Sequence, residues 1–232
     1  TILLIPKENY KEEIEKAIQK SKIEVDKVYY YDSDPTKLTK QIEKITKYYV
    51  RKQNLEDEIK RLEESIETNK DNKITNLKKL DTIGNLNFDS IIISDFDESL
   101  KSITTSLLYT DVSPKEIYFI TLNQWFDESL LNETSSQPIY FPSINKTNYN
   151  QFIKIYYENF NEYPNQLSFL SYDLIGLVYY LVVQNNFIID KKIFLKKSMF
   201  KGKVGIFEIK NNTINHVLNF YKVEDKNFKK IF

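Results

Sequence analysis

The chain has 232 residues, 41% hydrophobic and 28% charged, with 33 basic against 33 acidic side chains. A zero formal charge argues against a general nucleic-acid binder, whose footprint is a basic excess, and 15 Phe with 17 Tyr exclude a disordered chain. The length suits one large domain or two small lobes.

In chain order, residues 1–5 form a short apolar run ended by Pro6, which reads as a buried strand. Across residues 7–22, Tyr10, Ile14, Ala17 and Ile18 mark one face of an amphipathic helix. Residues 23–31 are rich in strand formers, and Asp34 followed by Pro35 predicts a capped helix start. The alternation resumes with a strand over 90–94, a helix over 98–109 and a strand over 116–121. Strands alternating with helices predict a mainly parallel sheet with helices on both faces.

Between Pro35 and Leu80 a charged segment intervenes. Leu38, Ile42, Ile45, Tyr49, Leu55, Ile59, Leu62 and Ile66 keep a near-heptad stripe through dense Lys and Glu. Two readings stay open: a protruding helix or hairpin serving as a docking surface, and a long crossover helix whose charges solvate its outer face. As a hairpin, 69–72 would be the turn, with Ile74, Leu77 and Leu80 on the returning arm covering Leu55, Ile59, Leu62 and Ile66. Further on, residues 138–142 read as a strand and 149–160 as an aromatic helix. Residues 167–183 read as an apolar core helix carrying Leu170, Leu174, Leu177, Val178 and Leu181. Residues 204–210 and 213–223 read as a hairpin about Asn211-Asn212.

The chemistry-bearing residues are few. Without cysteine there is no disulfide, zinc-thiolate site or thiol nucleophile, and His216 alone cannot build a Ser-His-Asp or His-based metal site. Four glycines supply no phosphate loop. Asp95, Asp97 and Glu98 read as dipole-compensating acids near a helix start rather than metal ligands. The expectation is therefore no enzyme, no metal and no cofactor. No run approaches the ~20 apolar residues of a membrane helix, and no signal peptide is expected within these residues. A chain opening on Thr1 is expected to be a piece of something longer.

Several strings resemble the type I periplasmic binding proteins, and are most similar to the penicillin-binding-protein-activator branch. They are residues 109–114 (YTDVSP), 116–120 (EIYFI), 125–127 (WFD), Phe88-Asp89 before Ile91, 170–174 (LSYDL) and 200–207 (FKGKVGIF), with the charged insertion before Phe88. The resemblance implies a two-lobed, hinged α/β fold with a cleft, here without the first half of lobe one. Residues 1–136 would be lobe two, with the insertion over about 36–80. Residues 137–214 would return through lobe one, and 215–232 would cross back as a C-terminal strand. It further implies a non-catalytic envelope protein in the periplasm, an outer-membrane lipoprotein anchored through an N-terminal segment that regulates peptidoglycan synthesis by binding a synthase. The alternative is the substrate-binding receptor of an ABC transporter, for amino acids or related small polar solutes.

The candidate ligand-contacting residues are Tyr10, Ser94, Asp95, Phe96, Asn123 and Trp125. Ser94, Asp95 and Phe96 follow a strand at its C-terminal end, where ligands bind in open α/β sheets. Tyr10 occupies a position where relatives carry a cleft tyrosine, with helix anchoring as the competing role. Asn123 is neutral where amino-acid binders place an acid. Trp125 is either a stacking surface for a ligand or a packing residue.

Overall fold

The first strand, β1 (Ile2–Pro6), is buried along its whole length, as expected of a parallel strand covered on both faces. It pairs in parallel with β2 (Lys27–Tyr31) on one side and β3 (Ser90–Ile93) on the other. Next to β3 lies β4 (Tyr118–Thr121), followed by β5 (Ile139–Ser143), again in parallel. With β9 (Asn219–Glu224) and β10 (Asn227–Lys230) these form a seven-stranded sheet of order β10-β9-β5-β4-β3-β1-β2. The structure is a computed structural model that describes residues 1–8, 10–21, 23–195, 198–210 and 213–232. Within it the chain divides into two compact units. One comprises Thr1–Leu122, Ser129–Tyr140 and Val223–Asn227, the other Asn123–Glu128, Phe141–Lys222 and Phe228–Phe232.

In the first unit, α1 (Lys11–Ser21) joins β1 to β2 and α5 (Asp97–Tyr109) joins β3 to β4. The mainly parallel α/β architecture expected from the sequence is what the chain forms. Two element bounds are shorter than their composition suggested: α1 begins at Lys11 and β2 at Lys27. β2 lies at the sheet edge and keeps Val28 and Tyr30 exposed, so its apolar residues are not a burial signal.

The charged insertion is three helices, not one. α2 (Pro35–Ile45) starts as expected, with the Asp34 side chain accepting from the Thr36 and Lys37 N–H groups. It stops because Thr46 turns its hydroxyl back onto the Ile42 carbonyl at 2.9 Å and Lys47 adopts a left-handed φ of 53°. The buried Arg51 guanidinium then donates to the carbonyls of Thr46, Thr110 and Asp111, tying together the C-terminal ends of α2 and α5. α3 (Tyr48–Glu63) packs against α4 (Lys70–Leu77) as a short hairpin, burying Leu55 and Leu62. The expected turn at 69–72 is displaced: the chain reverses over 64–69, and Asn69 stands just before α4 without a side-chain capping bond. Ile66, on that reversal, is fully exposed, and Leu80 lies beyond the end of α4 and is half exposed. The stripe therefore ends at Leu62. Glu58, Glu63, Glu67, Arg61, Lys73 and Lys78 pair among themselves along the hairpin.

In the second unit, α6 (Lys146–Phe160) and α7 (Gln166–Gln184) are capped by Asn145 and Asn165, whose side chains accept from the N–H groups of Asn148 and Ser168. A separate antiparallel sheet of β6 (Ser198–Lys201), β7 (Ile206–Lys210) and β8 (Thr213–Val217) follows. The expected strand over 213–223 is two strands, β8 and β9, in different sheets, and the expected turn at Asn211-Asn212 lies outside the described residues. α7 seats Leu177 and Leu181 against Ile209, with Ile193, Phe194 and Phe200 alongside. Its buried set is Phe169, Asp173, Leu177 and Leu181, one narrow stripe at four-residue spacing. Leu170, Leu174 and Val178 are exposed, which corrects the reading of α7 as a core helix: composition made it apolar all round, but cover exists on one side only.

Candidate functional site

The strand order β2-β1-β3-β4-β5 reverses its sense of progression between β1 and β3. In open parallel sheets, ligands sit outside the carboxyl ends of the strands at such a switch point. Because β1, β2 and β3 run parallel, their carboxyl ends share one edge. Tyr10 leads into α1 after β1, Tyr31 closes β2, and Ser94, Asp95 and Phe96 follow β3.

These residues converge on one carboxylate. The Ser94 N–H donates to the Leu4 carbonyl at 3.0 Å, which continues the ladder one residue past β3 and directs Asp95 inward. Asp95 is 4% exposed. It accepts from the Tyr31 hydroxyl at 2.6 Å, the Tyr10 hydroxyl at 3.3 Å and the Phe96 N–H at 2.9 Å. Burial raises the Asp95 pKa, against the opposing pull of these three donors, with Tyr31 the strongest. The tyrosines respond in kind. Burial and the Asp95 charge push Tyr10 up to about 12, and burial followed by the bond to Asp95 raises Tyr31 further. Both phenols stay protonated at neutral pH, so the cluster is a set of fixed donors closed onto a buried acceptor. Among the described residues, the fully buried Ser94 hydroxyl has no hydrogen-bond partner.

Tyr31 is the member that sequence reasoning missed. Its signal was positional: it is the last residue of a strand parallel to β1, which places it at the same edge as Tyr10. Asp97 and Glu98 sit exposed in the first turn of α5, where their charge meets the helix dipole. Among the described residues, no group of three or more His, Cys, Asp or Glu is placed to hold a metal ion.

Asn123 and Trp125 belong to the second unit. The Asn123 side-chain oxygen accepts from the Trp125 N–H at 3.0 Å, and the Gln124 carbonyl accepts from the Asp127 N–H at 2.9 Å. This turn holds Trp125 and Phe126 in the left-handed region, at φ 48° and 59°. It aims the Trp125 ring onto Phe169, 5.9 Å between centroids, and sets Phe126 among Phe141, Tyr149, Tyr221 and Phe228. Asn123 thus shapes the turn that sets the Trp125 ring beside Phe169.

Asp173 is buried within α7 and accepts the N–H groups of Lys203, Val204 and Gly205 at 2.7, 2.9 and 2.9 Å. Three backbone donors on one carboxylate fasten the loop before β7 to the middle of α7. Gly202 is required beside it, since a Cβ there would lie under 3.0 Å from both carboxylate oxygens.

Against known proteins, the fold is shared with two solved structures. The C-domain of LpoA (YraM) from Haemophilus influenzae, a regulator of PBP1A, superposes with a TM-score of 0.55 at 14% identity, covering 100% of this chain and 61% of that one. A solute-binding protein of an ABC transporter from Rhodopseudomonas palustris BisB5, in complex with 3,4-dihydroxybenzoic acid, superposes with a TM-score of 0.50 at 13% identity. It covers 99% of this chain and 58% of that one. The chain therefore has a type I periplasmic-binding-protein-like fold, and it spans about three fifths of the length of these two neighbours. No protein-family model and no curated protein matches it.

Proposed function

We propose that this chain is a non-catalytic binding module of the bacterial envelope, acting in the periplasm as a regulator of peptidoglycan synthesis through contact with a synthase. The observation that carries this reading is the closure of Asp95. In an open α/β sheet the acid at the switch point is the natural counter-charge for a solute's ammonium. Here it is buried and already bonded by Tyr10, Tyr31 and the Phe96 N–H. A site filled by its own side chains recommends a protein that works through its surface. The likeness to a regulator of PBP1A supports the same class of partner. Anchoring to the outer membrane as a lipoprotein is part of the proposal.

The second reading, a receptor for a small polar solute, is favoured by the buried hydroxyl of Ser94 at the same edge, which finds no partner among the described residues, and by the solute-binding neighbour. A thermal-shift panel separates the two: free amino acids, 3,4-dihydroxybenzoate and peptidoglycan fragments, alongside biosensor titration with a purified PBP1A-type synthase. The regulator reading expects saturable synthase binding and an unmoved melting temperature with every free solute. A ligand at a hundred times its dissociation constant stabilises by about 2.7 kcal/mol. A shift of that size with one free solute, and no synthase binding, would overturn it.

A further inference from the structure

The second unit carries an open groove of about 630 Å³ on the surface of α6 and α7, a volume in the range of small-molecule sites. Phe152, Ile155, Tyr156 and Phe160 share one face of α6 by their spacing and form its wall, to which α7 adds Tyr172. The wall is preformed. Ring centroids lie 5.9 Å apart from Phe152 to Tyr156, 4.7 Å from Tyr156 to Phe160 and 5.2 Å from Phe152 to Tyr172. Phe160 and Tyr172 are nevertheless more than half exposed. Lys154 and Glu158, on the opposite face of α6, pair with each other at 3.9 Å. Among the described residues, the lining of the groove holds a single charge, the Lys203 ammonium, and no carboxylate.

Shape and charge together select the occupant. From Phe152 to Phe160 the wall follows about 12 Å of helix, which suits an extended chain. Its successive rings are tilted by 37° and 45°, so they offer no pair of parallel faces to sandwich a planar ring. A peptide would bring backbone N–H and C=O groups that an apolar wall leaves unpaired. Lys203 then sets the head group. Its backbone N–H is held by Asp173 at 2.7 Å, and both Asp173 oxygens are taken by the N–H groups of 203–205. The Lys203 side chain is left exposed, and its ammonium forms no ion pair among the described residues.

We propose that this groove binds a free single-chain carboxylate of the fatty-acid type, its hydrocarbon chain along the aromatic wall and its carboxylate bonded to the Lys203 ammonium. The site lies wholly in the second unit, whereas Tyr10, Tyr31 and Asp95 belong to the first. It therefore stands independently of whether the chain contacts a synthase.

Calorimetric titration of the chain with decanoate, kept below its micelle threshold, tests this. The expected result is saturable binding of one decanoate per chain, with decanol and decyltrimethylammonium each at least about tenfold weaker. Lys203→Met keeps the hydrocarbon stem and removes the charge. It should weaken decanoate at least about tenfold and leave decanol unchanged. Ile155→Trp, at a part-exposed position, should fill the groove and abolish binding of both, while Lys154→Met on the opposite face of α6 should leave decanoate affinity as in the parent. Circular dichroism confirms that each variant folds, and Lys203→Met decides the matter if Ile155→Trp does not. Absence of saturable decanoate binding overturns the proposal, and so does equal affinity of the parent and Lys203→Met. Binding to phosphatidylglycerol vesicles without binding of free decanoate assigns the groove to a membrane surface and overturns it too. A dimer that Ile155→Trp dissociates, in a chain that takes up no decanoate, assigns the groove to a second copy with the same consequence.

Discussion

Replacing Asp173 by alanine should remove the fastening between α7 and the loop that precedes β7. The carboxylate is 2% exposed and is the acceptor for three backbone N–H groups, of which Val204 is itself buried. A buried donor left without an acceptor costs about 1–3 kcal/mol. With Lys203 and Gly205 better placed to find water, the expected total for Asp173→Ala is about 3–5 kcal/mol. Gly202→Ala attacks the same contact from the other side, since its Cβ would collide with both carboxylate oxygens. The two substitutions should therefore be strongly non-additive: once Asp173 is alanine, the added methyl group has nothing to strike. The assay is urea unfolding followed by the fluorescence of Trp125, the only tryptophan, which stacks on Phe169 of the same helix. At a slope of about 2 kcal/mol per molar urea, Asp173→Ala should lower the midpoint by about 1.5–2.5 M. A loss under about 1 kcal/mol, or additive costs in the double variant, would refute the account.

Burial lifts the Asp95 pKa above its unfolded value near 3.9, so the folded state holds that proton longer, and this carboxyl's contribution to stability declines as pH rises from about 4. The stability of Asp95→Asn relative to the parent should accordingly increase as pH rises from about 4 in urea titrations; a pH-independent difference would contradict the burial mechanism. His216 is displaced the other way: burial lowers its pKa, with Asp173 partly opposing, and its ring lies flat on Phe207 with Nε2 finding no partner among the described residues. Its contribution is present above the unfolded value of about 6.5 and is lost as pH falls through it, so His216→Phe should flatten the pH dependence of Trp125-monitored unfolding between about pH 7 and 5. Arg51→Met should cost about 2–4 kcal/mol in chemical denaturation, because it strips a buried donor from the carbonyl ends of two helices at once.

Some of these features were legible in the sequence because a local rule fixes them. Asp34 with Pro35 could only begin a helix, and four separate apolar runs punctuated by amphipathic helices left little besides a parallel sheet. The break at Lys47 was not legible: no proline or glycine marks it. It is produced by Thr46 bonding back to Ile42 and by Arg51, which reaches carbonyls sixty residues away on α5. Tyr31 was hidden for the same reason. In the run KVYYY each tyrosine reads alike, and only the pairing of β2 beside β1 separates the exposed Tyr30 from Tyr31, which is wholly buried and bonded to Asp95. Asn123 and Trp125 show the limit from the other side. Their position after β4 is readable from the sequence, but the Asx bond and the two left-handed residues that set Trp125 beside Phe169 are not.

The same physics explains why α7 misled. Apolar composition states that a surface must be covered; it carries no information on which segment does the covering. Leu177 and Leu181 are covered because α7 packs on the small sheet, to which Asp173 pins it, and Phe169 is covered by Trp125, Tyr149 and Phe152. Leu167, Ile175 and Tyr179 are equally apolar and are not. The difference between the two sets lies in what each side of the helix meets, not in composition. The pin at Asp173 fixes which side of α7 is covered within this chain.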